Sequence, residues 1–497
     1  MLYPSSSRIA VIGGGLTGLA AAHRLTELAT EQGRALDITV YEAGPRLGGI
    51  VGTIERDGYL IDTGADSFIT NKPGALQLCQ RIGLESRLQA TEPRYRGALV
   101  LHNGRPVPVP EGFQLLSPSA MWPVLKSPIL SLSGKLRVAR EYFIPPRMDN
   151  GDETLASFVR RRFGSEVLDR LVQPLVGGIY TSDPEKLSLA ATMPRFLEME
   201  RKHGSLIRAA KSEKPQANDE DRISGGARYG LFAGLRGGMQ ELVDALVSRV
   251  ESRCRVELNR AIESVTVDTT SADAVDTTSA DAADAPGRPG YRLRFRDSSE
   301  QTFDAVLVTL PAYRTADVLQ NLDHDLAAQL RGIEYASSSI VVTGHALKDV
   351  RDPLNAFGLV IPHIEHRKIL AVSFSSRKFP NRAPEGRVLL RTFVGGAMQP
   401  ELFDRDDDAT IRLVREELAA TLGVTGEPDF ALVVRYPRGM PQYHLGHLDR
   451  VAEIERLTAG HTGLAIAGNA YRGVGVPDAI HSGEQAAERI LAAIRQD

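Results

Sequence analysis

Gly13-Gly14-Gly15-Leu16-Thr17-Gly18 is a turn built to hold a pyrophosphate. Gly13 permits the sharp reversal, Gly15 lets the backbone approach the phosphates, and Gly18 lets the next helix pack on the preceding strand. Amides at the helix N-terminus and the helix macrodipole favour the phosphate charge. Glu42 closes the following apolar segment, where its carboxylate can accept hydrogen bonds from ribose hydroxyls. Together these residues point to a dinucleotide.

For those groups to meet, the chain must run strand, turn, helix, strand. Residues 8–12 are a short apolar run, residues 16–29 have an alanine-rich helical period, and residues 37–41 are rich in β-branched side chains. This is the opening of a βαβ unit. Further on, residues 98–101 and the Asn103-Gly104 turn predict extended structure, residues 155–171 a helix, and residues 240–250 another. Residues 256–267, 291–296 and 306–309 read as strands, and residues 340–394 as a second, mostly β sheet. The polar stretch 211–222 and the Thr-Thr-Ser-Ala-Asp repeats of 268–289 cannot build a core, which predicts loops, the second of them disordered. A strand at 464–467, a glycine-rich turn and a helix at 478–494 return the chain to its first domain.

Composition narrows the class. The 497 residues amount to about three domains' worth of chain. A net charge of −3 with no long basic run leaves no nucleic-acid footprint. The only cysteines, Cys79 and Cys254, have no metal-ligand spacing, which argues against zinc and disulfides and fits a reducing, cytoplasmic setting. The apolar stretch at 9–12 is broken at once by glycines, too short for a signal-peptide core, and no run reaches the roughly 18 apolar residues that span a bilayer.

Four further strings carry a resemblance. Glu42-Ala43-Gly44-Pro45-Arg46-Leu47-Gly48-Gly49 is similar to the second glycine motif of the flavin superfamily that contains monoamine oxidases, carotenoid desaturases and porphyrinogen oxidases. Gly64-Ala65-Asp66-Ser67 matches that superfamily's loop beside the isoalloxazine, and Val256 to Ile262 its adenine-contacting strand, with Ile262 at the contact. The ending Gly468-Asn469-Ala470-Tyr471-Arg472-Gly473-Val474-Gly475-Val476-Pro477-Asp478 resembles the porphyrinogen oxidases of haem synthesis more than the amine oxidases, which attach flavin through a cysteine near this point. Many members place an acid where Asn469 stands, so the contacts implied here are backbone ones. The resemblance implies an α/β fold of the p-hydroxybenzoate hydroxylase type: a Rossmann-like FAD-binding domain, a mixed-sheet substrate domain and a helical insertion. The FAD domain takes residues 1–90, 225–335 and 445–497, the substrate domain 91–112 and 336–444, and the insertion 113–224.

Several roles follow from the resemblance. Non-covalent FAD lies along Gly13 to Gly18, Glu42, Ala43, Arg46, Gly48, Gly49, Gly64 to Ser67, Ile262 and Val474 to Val476. Gly178, in Pro174-Leu175-Val176-Gly177-Gly178-Ile179-Tyr180, lets a tetrapyrrole approach closely, and Leu354, Leu370 and Phe393 sandwich its rings. Phe379-Pro380-Asn381-Arg382 and Phe393-Val394-Gly395-Gly396 are landmarks of the same family. The implied activity is six-electron oxidation of protoporphyrinogen IX to protoporphyrin IX, with oxygen reduced to hydrogen peroxide in haem biosynthesis. Oxidation of coproporphyrinogen III is the alternative.

The flavin carries the chemistry, so no catalytic side chain is assigned, and His345, His444 and His481 read as structural or solvated. Eukaryotic protoporphyrinogen oxidases place a propionate-binding arginine where this chain has Ala98; Arg96, on the same face of a strand, is the candidate substitute. Residues 113–144 resemble the part of family members that dips into a membrane; a helical cover over the substrate domain is the other reading. Hand-over to a ferrochelatase and a homodimer are left open. The rivals are a flavin amine oxidase or carotenoid desaturase, and a cofactor-free binding protein on the same fold, which the retained Gly13, Gly15, Gly18 and Glu42 oppose.

Overall fold

Strands buried on both faces read as unbroken apolar runs, and the sequence Ile9-Ala10-Val11-Ile12 is one. A computed structural model of the chain describes residues 6–110, 113–114, 117–118, 121–149, 151–212, 231–268 and 290–494. In it Ser7–Ile12 is the middle strand of a five-stranded parallel sheet, flanked by Leu36–Tyr41 and then Arg255–Glu257 on one side. Ala305–Val308 and then Leu464–Ile466 lie on the other. The connections leave the first strand in both directions, so its C-terminal end, where Gly13 begins, is a topological switch point, the place where such sheets bind ligands.

The helices Leu16–Glu31, Gln240–Glu251 and Val476–Ala493 cover one face through Leu19, Leu25, Leu246, Ile480 and Ile490. A three-stranded antiparallel sheet, Ile262–Asp268, Gly290–Phe295 and Glu300–Phe303, covers the other, packing Val265, Leu293 and Phe295 on Ala10, Val306 and Val308. The single strand expected at 256–267 is therefore two. Asn259 takes φ +55° between them, so Arg255–Glu257 joins the parallel sheet while Ile262–Asp268 turns away into the antiparallel one.

A seven-stranded sheet forms the second body, in the order Phe430–Pro441, Tyr335–Ala346, Arg387–Gly395, Ala371–Phe374, Gly358–Val360, Leu99–His102 and Arg105–Pro108. Only the pairing of Gly358–Val360 with Leu99–His102 is parallel. The amphipathic helix Asp407–Leu422, capped by the Asp406 carboxylate on the Ala409 amide, buries Leu413, Val414 and Leu418 against one face. The opposite face, with Ile340, Val342 and Leu389, packs on Tyr59 and Ile61.

The helical insertion has its own core, including Phe158, Val159, Leu171, Val172 and Leu187. The helix expected over 155–171 stops at Arg162, because Gly164 takes φ +94°; short turns at 165–172 lead into Gln173–Tyr180. Arg162 is fully buried and ion-paired with Glu141 and Glu200. Ile129 and Leu130 are core residues, whereas Leu132 is 80% exposed. Of the stretch 211–222, Lys211 and Ser212 end the helix Leu206–Ser212; the remainder, and the repeats at 269–289, lie outside the described residues.

Candidate flavin and substrate site

The glycine turn is closed by packing on every side but one. A Cβ at Gly18 would lie 1.9 Å from the Gly13 carbonyl oxygen, and one at Gly14 would lie 2.3 Å from Leu47. A Cβ at Gly15 would meet nothing within 4 Å, so the open side of the cradle lies there, at the N-terminus of Leu16–Glu31. Leu16 and Thr17 are buried in the first turn of that helix. Glu42 accepts the Gly14 amide at 2.8 Å and the Gly44 amide at 2.7 Å, so its carboxylate is fixed across the turn. Residues 257–260 run beside it: the Glu42 amide donates to the Glu257 carbonyl at 2.9 Å and the Arg260 amide to the Glu42 carbonyl at 2.8 Å. Ile262, partly buried, follows two residues later.

The second glycine loop docks on the first, the Gly48 amide donating to the Gly14 carbonyl at 2.8 Å. Arg46 shapes this loop from within, donating to the carbonyls of Leu47, Gly49 and Val51. Ala43 and Gly49 are exposed along its outer edge. At the far end, Gly475 caps the eighteen-residue helix Val476–Ala493 and Asp478 accepts its amide at 3.2 Å. Tyr443 holds the turn before it: its hydroxyl donates to the Asn469 carbonyl at 2.6 Å and accepts the Gly473 amide at 2.9 Å. The Asn469 carbonyl is thus engaged within the chain, by Tyr443.

His447 stacks on Tyr443 with ring centroids 4.0 Å apart, and its Nε2 lies 2.9 Å from the Tyr471 carbonyl. Burial holds the His447 pKa down at about 4, below the ordinary 6.5. Below pH 6.5 the unfolded chain therefore takes up a proton that the folded chain refuses. Stability from this group is complete above about pH 6.5 and is lost as the pH falls towards 4, by roughly 3 kcal/mol over that window. Denaturant melts across that range should steepen on the acid side, and His447→Phe should remove about one proton from the slope.

The Gly64–Ser67 loop joins the cradle to the seven-stranded sheet. Asp66 accepts Lys378 at 2.8 Å and Arg391 at 3.1 Å, and Arg391 also donates to the Gly64 carbonyl. Burial pushes the Asp66 carboxyl up, but the two cations outweigh it and hold it below the usual carboxylate range. Lys378 also donates to Ser67 at 2.7 Å, and Tyr436 donates to the Thr63 carbonyl. Ala65 is carried between these anchors.

Beyond this junction the helix Gln173–Tyr180 packs against the strand Gly358–Val360 of the seven-stranded sheet. Gly178 is exposed there, and the atom nearest to where its Cβ would sit is Val360 Cγ1, at 3.9 Å. Leu370 reaches the same region: its Cδ1 would lie 3.2 Å from a Cβ at Gly396, a glycine that also faces Thr181. The Leu370 amide donates to the Phe393 carbonyl at 2.8 Å. Phe393, partly buried, sits beside Arg391, whose guanidinium carbon is 5.7 Å from the ring centroid.

Two expected substrate residues do not sit in the elements the sequence suggested. Leu354 is fully buried on the far face of the sheet, in the cluster with Leu413 and Leu418, and takes φ +51°. No substrate reaches it without unpacking that core, and Val360 stands across from Gly178 instead. Arg96 is exposed but is not on the strand: Gly97, with φ +125°, intervenes before Leu99–His102 begins. Val360, Lys378, Arg391 and Tyr443 were not singled out from sequence, though the landmarks at 379–382 and 393–396 adjoin the first three in the fold.

These residues fit a flavin dinucleotide. A profile for flavin containing amine oxidoreductases matches residues 16–491. The chain belongs to that family. With a dinucleotide fingerprint in a flavin family, its cofactor is FAD and the chain is an oxidoreductase. Coproporphyrinogen III oxidase of Bacillus subtilis (strain 168) is 34% identical over 97% of both chains. That of Staphylococcus aureus (strain NCTC 8325 / PS 47) is 31% identical over 97% of this chain and 99% of the relative. The mitochondrial protoporphyrinogen oxidase of Nicotiana tabacum is 29% identical over 99% and 96%. A solved structure from Exiguobacterium sp. 255-15, provisionally named a protoporphyrinogen oxidase, superposes with a TM-score of 0.82 at 28% identity, covering 98% of this chain and 99% of the other. The fold is therefore that of the FAD-dependent oxidoreductases. Cys79 is buried in the core of the FAD domain, and burial raises both its thiol and that of Cys254 to about 12, so neither is a reactive thiolate for flavin attachment.

Proposed function

We propose that this chain oxidises a porphyrinogen to the porphyrin in haem biosynthesis, removing six electrons with oxygen as the acceptor and hydrogen peroxide as its product. Coproporphyrinogen III is the substrate we favour over protoporphyrinogen IX. The observation that carries this choice is the match, at 31–34% identity over nearly the whole chain, to coproporphyrinogen III oxidases, against 28–29% for protoporphyrinogen oxidases. Bound FAD supplies a hydride acceptor at N5 and returns the electrons to oxygen. The protein's part is positional. The amides of the glycine turn and the Gly475 end of the last helix hold the dinucleotide; Asp66, Lys378 and Arg391 fix the sheet that carries Phe393 against it. Gly178, exposed and without a side chain, with Val360 and Leu370 beside it, forms the apolar slot that we assign to the planar ring. Aromatisation of the product drives the reaction, so no protein base is assigned. The product is the substrate type of a metal-inserting enzyme such as a ferrochelatase. Parallel kcat/KM measurements on the two reduced tetrapyrroles test the preference; a larger value for protoporphyrinogen IX would reverse it.

Gly178→Leu should fill the slot and lower kcat/KM by about tenfold or more, a loss of ~1.4 kcal/mol of transition-state binding. Flavin content and unfolding midpoint should hold, because nothing lies within 3.9 Å of the first added carbon. Unchanged kcat/KM would remove Gly178 from the site.

Among the described residues no helix is long and apolar enough to cross a membrane. Leu132 and Leu136 stand exposed one turn apart on the helix Leu132–Arg140, near the 76% exposed Phe143 and beside Lys135 and Arg140. Apolar groups ringed by cations suit the surface of an anionic bilayer, which supports peripheral membrane contact. Leu136→Asp with Phe143→Asp should weaken sedimentation with vesicles of anionic lipid by about tenfold, the equivalent of ~1.4 kcal/mol. Equal sedimentation would instead favour the helical-cover reading.

A further inference from the structure

On the outer face of the seven-stranded sheet, remote from the flavin cradle, a buried imidazole has no hydrogen-bond partner among the described residues. His345 is the penultimate residue of Tyr335–Ala346. Its neighbour Gly344 packs on Tyr59 and Phe430, so His345 points the other way, towards the helix Asp407–Leu422. The ring is 2% exposed, yet neither Nδ1 nor Nε2 has a hydrogen-bond partner among the described residues. A buried imidazole left unpaired costs about 1–3 kcal/mol per polar group, so something outside the polypeptide should meet it.

What the ring borders is a cavity of about 360 Å³, open to solvent and lined also by Arg412, Arg415, Glu416, Val424 and Gly426. Arg415 pairs outward with Glu427, and Arg412 makes no ion pair among the described residues. Asp349 and Asp429 also act on the ring, but Asp429 is already held by Tyr59 and Arg387. Burial keeps His345 below its ordinary pKa, so near neutrality the ring has one donating and one accepting nitrogen. Two guanidinium groups supply donors for an oxyanion, while the imidazole acceptor and Glu416 call for a hydroxyl.

We propose that this cavity binds a small oxyanion that keeps an O–H, as hydrogen phosphate does, between the Arg412 and Arg415 guanidinium groups and the His345 ring. The site is independent of the FAD and porphyrinogen sites. Calorimetric titration of the FAD-loaded protein with inorganic phosphate, near neutral pH and at ionic strength matched with chloride, tests it. One saturable site per chain is expected, with sulfate, which carries no O–H there, binding more weakly. Arg412→Ala, an exposed change, and His345→Phe should each weaken phosphate binding by about tenfold or more, or ~1.4 kcal/mol, without altering flavin content. Absence of saturable binding, sulfate binding as tightly as phosphate, or binding that survives Arg412→Ala within about twofold (~0.4 kcal/mol) would overturn the proposal. Arg412→Ala decides the matter even if His345→Phe fails to fold.

Discussion

Gly18→Ala should leave purification nearly colourless and less stable than the parent, whereas Gly15→Ala should be equally colourless but fully stable. The difference lies in what each methyl would meet. At position 18 the new carbon would sit 1.9 Å from the Gly13 carbonyl oxygen and 2.8 Å from the Thr309 hydroxyl. Backbone cannot yield as a side chain does, so the helix must move off the strand, at a cost of about 1–3 kcal/mol or more. That shift also moves the amides at the start of Leu16–Glu31 that we assign to the FAD phosphates. At position 15 the methyl meets no protein atom within 4 Å and occupies only the open side of the cradle. Flavin absorbance per mole of protein, read beside the thermal midpoint, separates the two cases. Gly15→Ala protein that retains stoichiometric FAD would mean the dinucleotide does not lie where the turn is open.

The second large effect is expected at Arg391. This guanidinium is 3% exposed, pairs with Asp66 at 3.1 Å and donates to the Gly64 carbonyl. Arg391→Ala leaves the Asp66 carboxylate with Lys378 as its one remaining cation, beside the Ser67 hydroxyl, and frees the Gly64 carbonyl. Breaking one side of such a buried pair costs roughly 3–5 kcal/mol. Because the pair spans the Gly64–Ser67 loop, where we propose that FAD lies, and the seven-stranded sheet, flavin affinity should fall together with stability. The exposed pair Arg456–Glu453, 2.7 Å apart, provides the contrast: Arg456→Ala should change stability by only about 0–1 kcal/mol. Equal effects from the two substitutions in chemical denaturation would show that the Asp66 junction does not couple the two bodies.

The sign of the acid response follows from the same junction. Asp66 titrates below its ordinary value in the folded chain, so its stabilisation is complete above the unfolded carboxylate pKa near 3.8 and disappears as the pH falls below it. Loss of Arg391 should shrink that acid-side contribution, in addition to the overall destabilisation.

Local signals in the sequence translated directly into structure. The glycine turn and its two flanking elements lie within a few dozen residues, so sterics and the strand and helix periods suffice to place them. The C-terminal turn was equally legible, because Gly473 and Gly475 open the last helix in the chain itself. What could not be read were partners far apart along the chain. Asp66 meets Lys378 and Arg391 across more than 300 positions, and nothing in an isolated Asp-Ser or Arg-Thr pair announces the other.

Leu354 shows a different limit. An apolar residue in a connection fits a pocket wall and a core equally well, and only the course of the sheet puts it beneath Asp407–Leu422. Arg96 lies off the strand for a local reason, since Gly97 at φ +125° interrupts the extended run before Leu99–His102 begins. Val256 to Val267 misled in a similar way: two strands of like composition read as one, because the reversal at Asn259 depends on a single left-handed residue.

The most direct test mixes FAD-loaded protein with coproporphyrinogen III in the absence of oxygen while flavin absorbance and porphyrin fluorescence are followed, and then admits oxygen. The account predicts rapid bleaching of the flavin, recovery of its absorbance with oxygen, and accumulation of fluorescent porphyrin together with peroxide. A flavin that stays oxidised with both coproporphyrinogen III and protoporphyrinogen IX would contradict it, leaving a flavin oxidoreductase whose slot beside Gly178 serves another substrate.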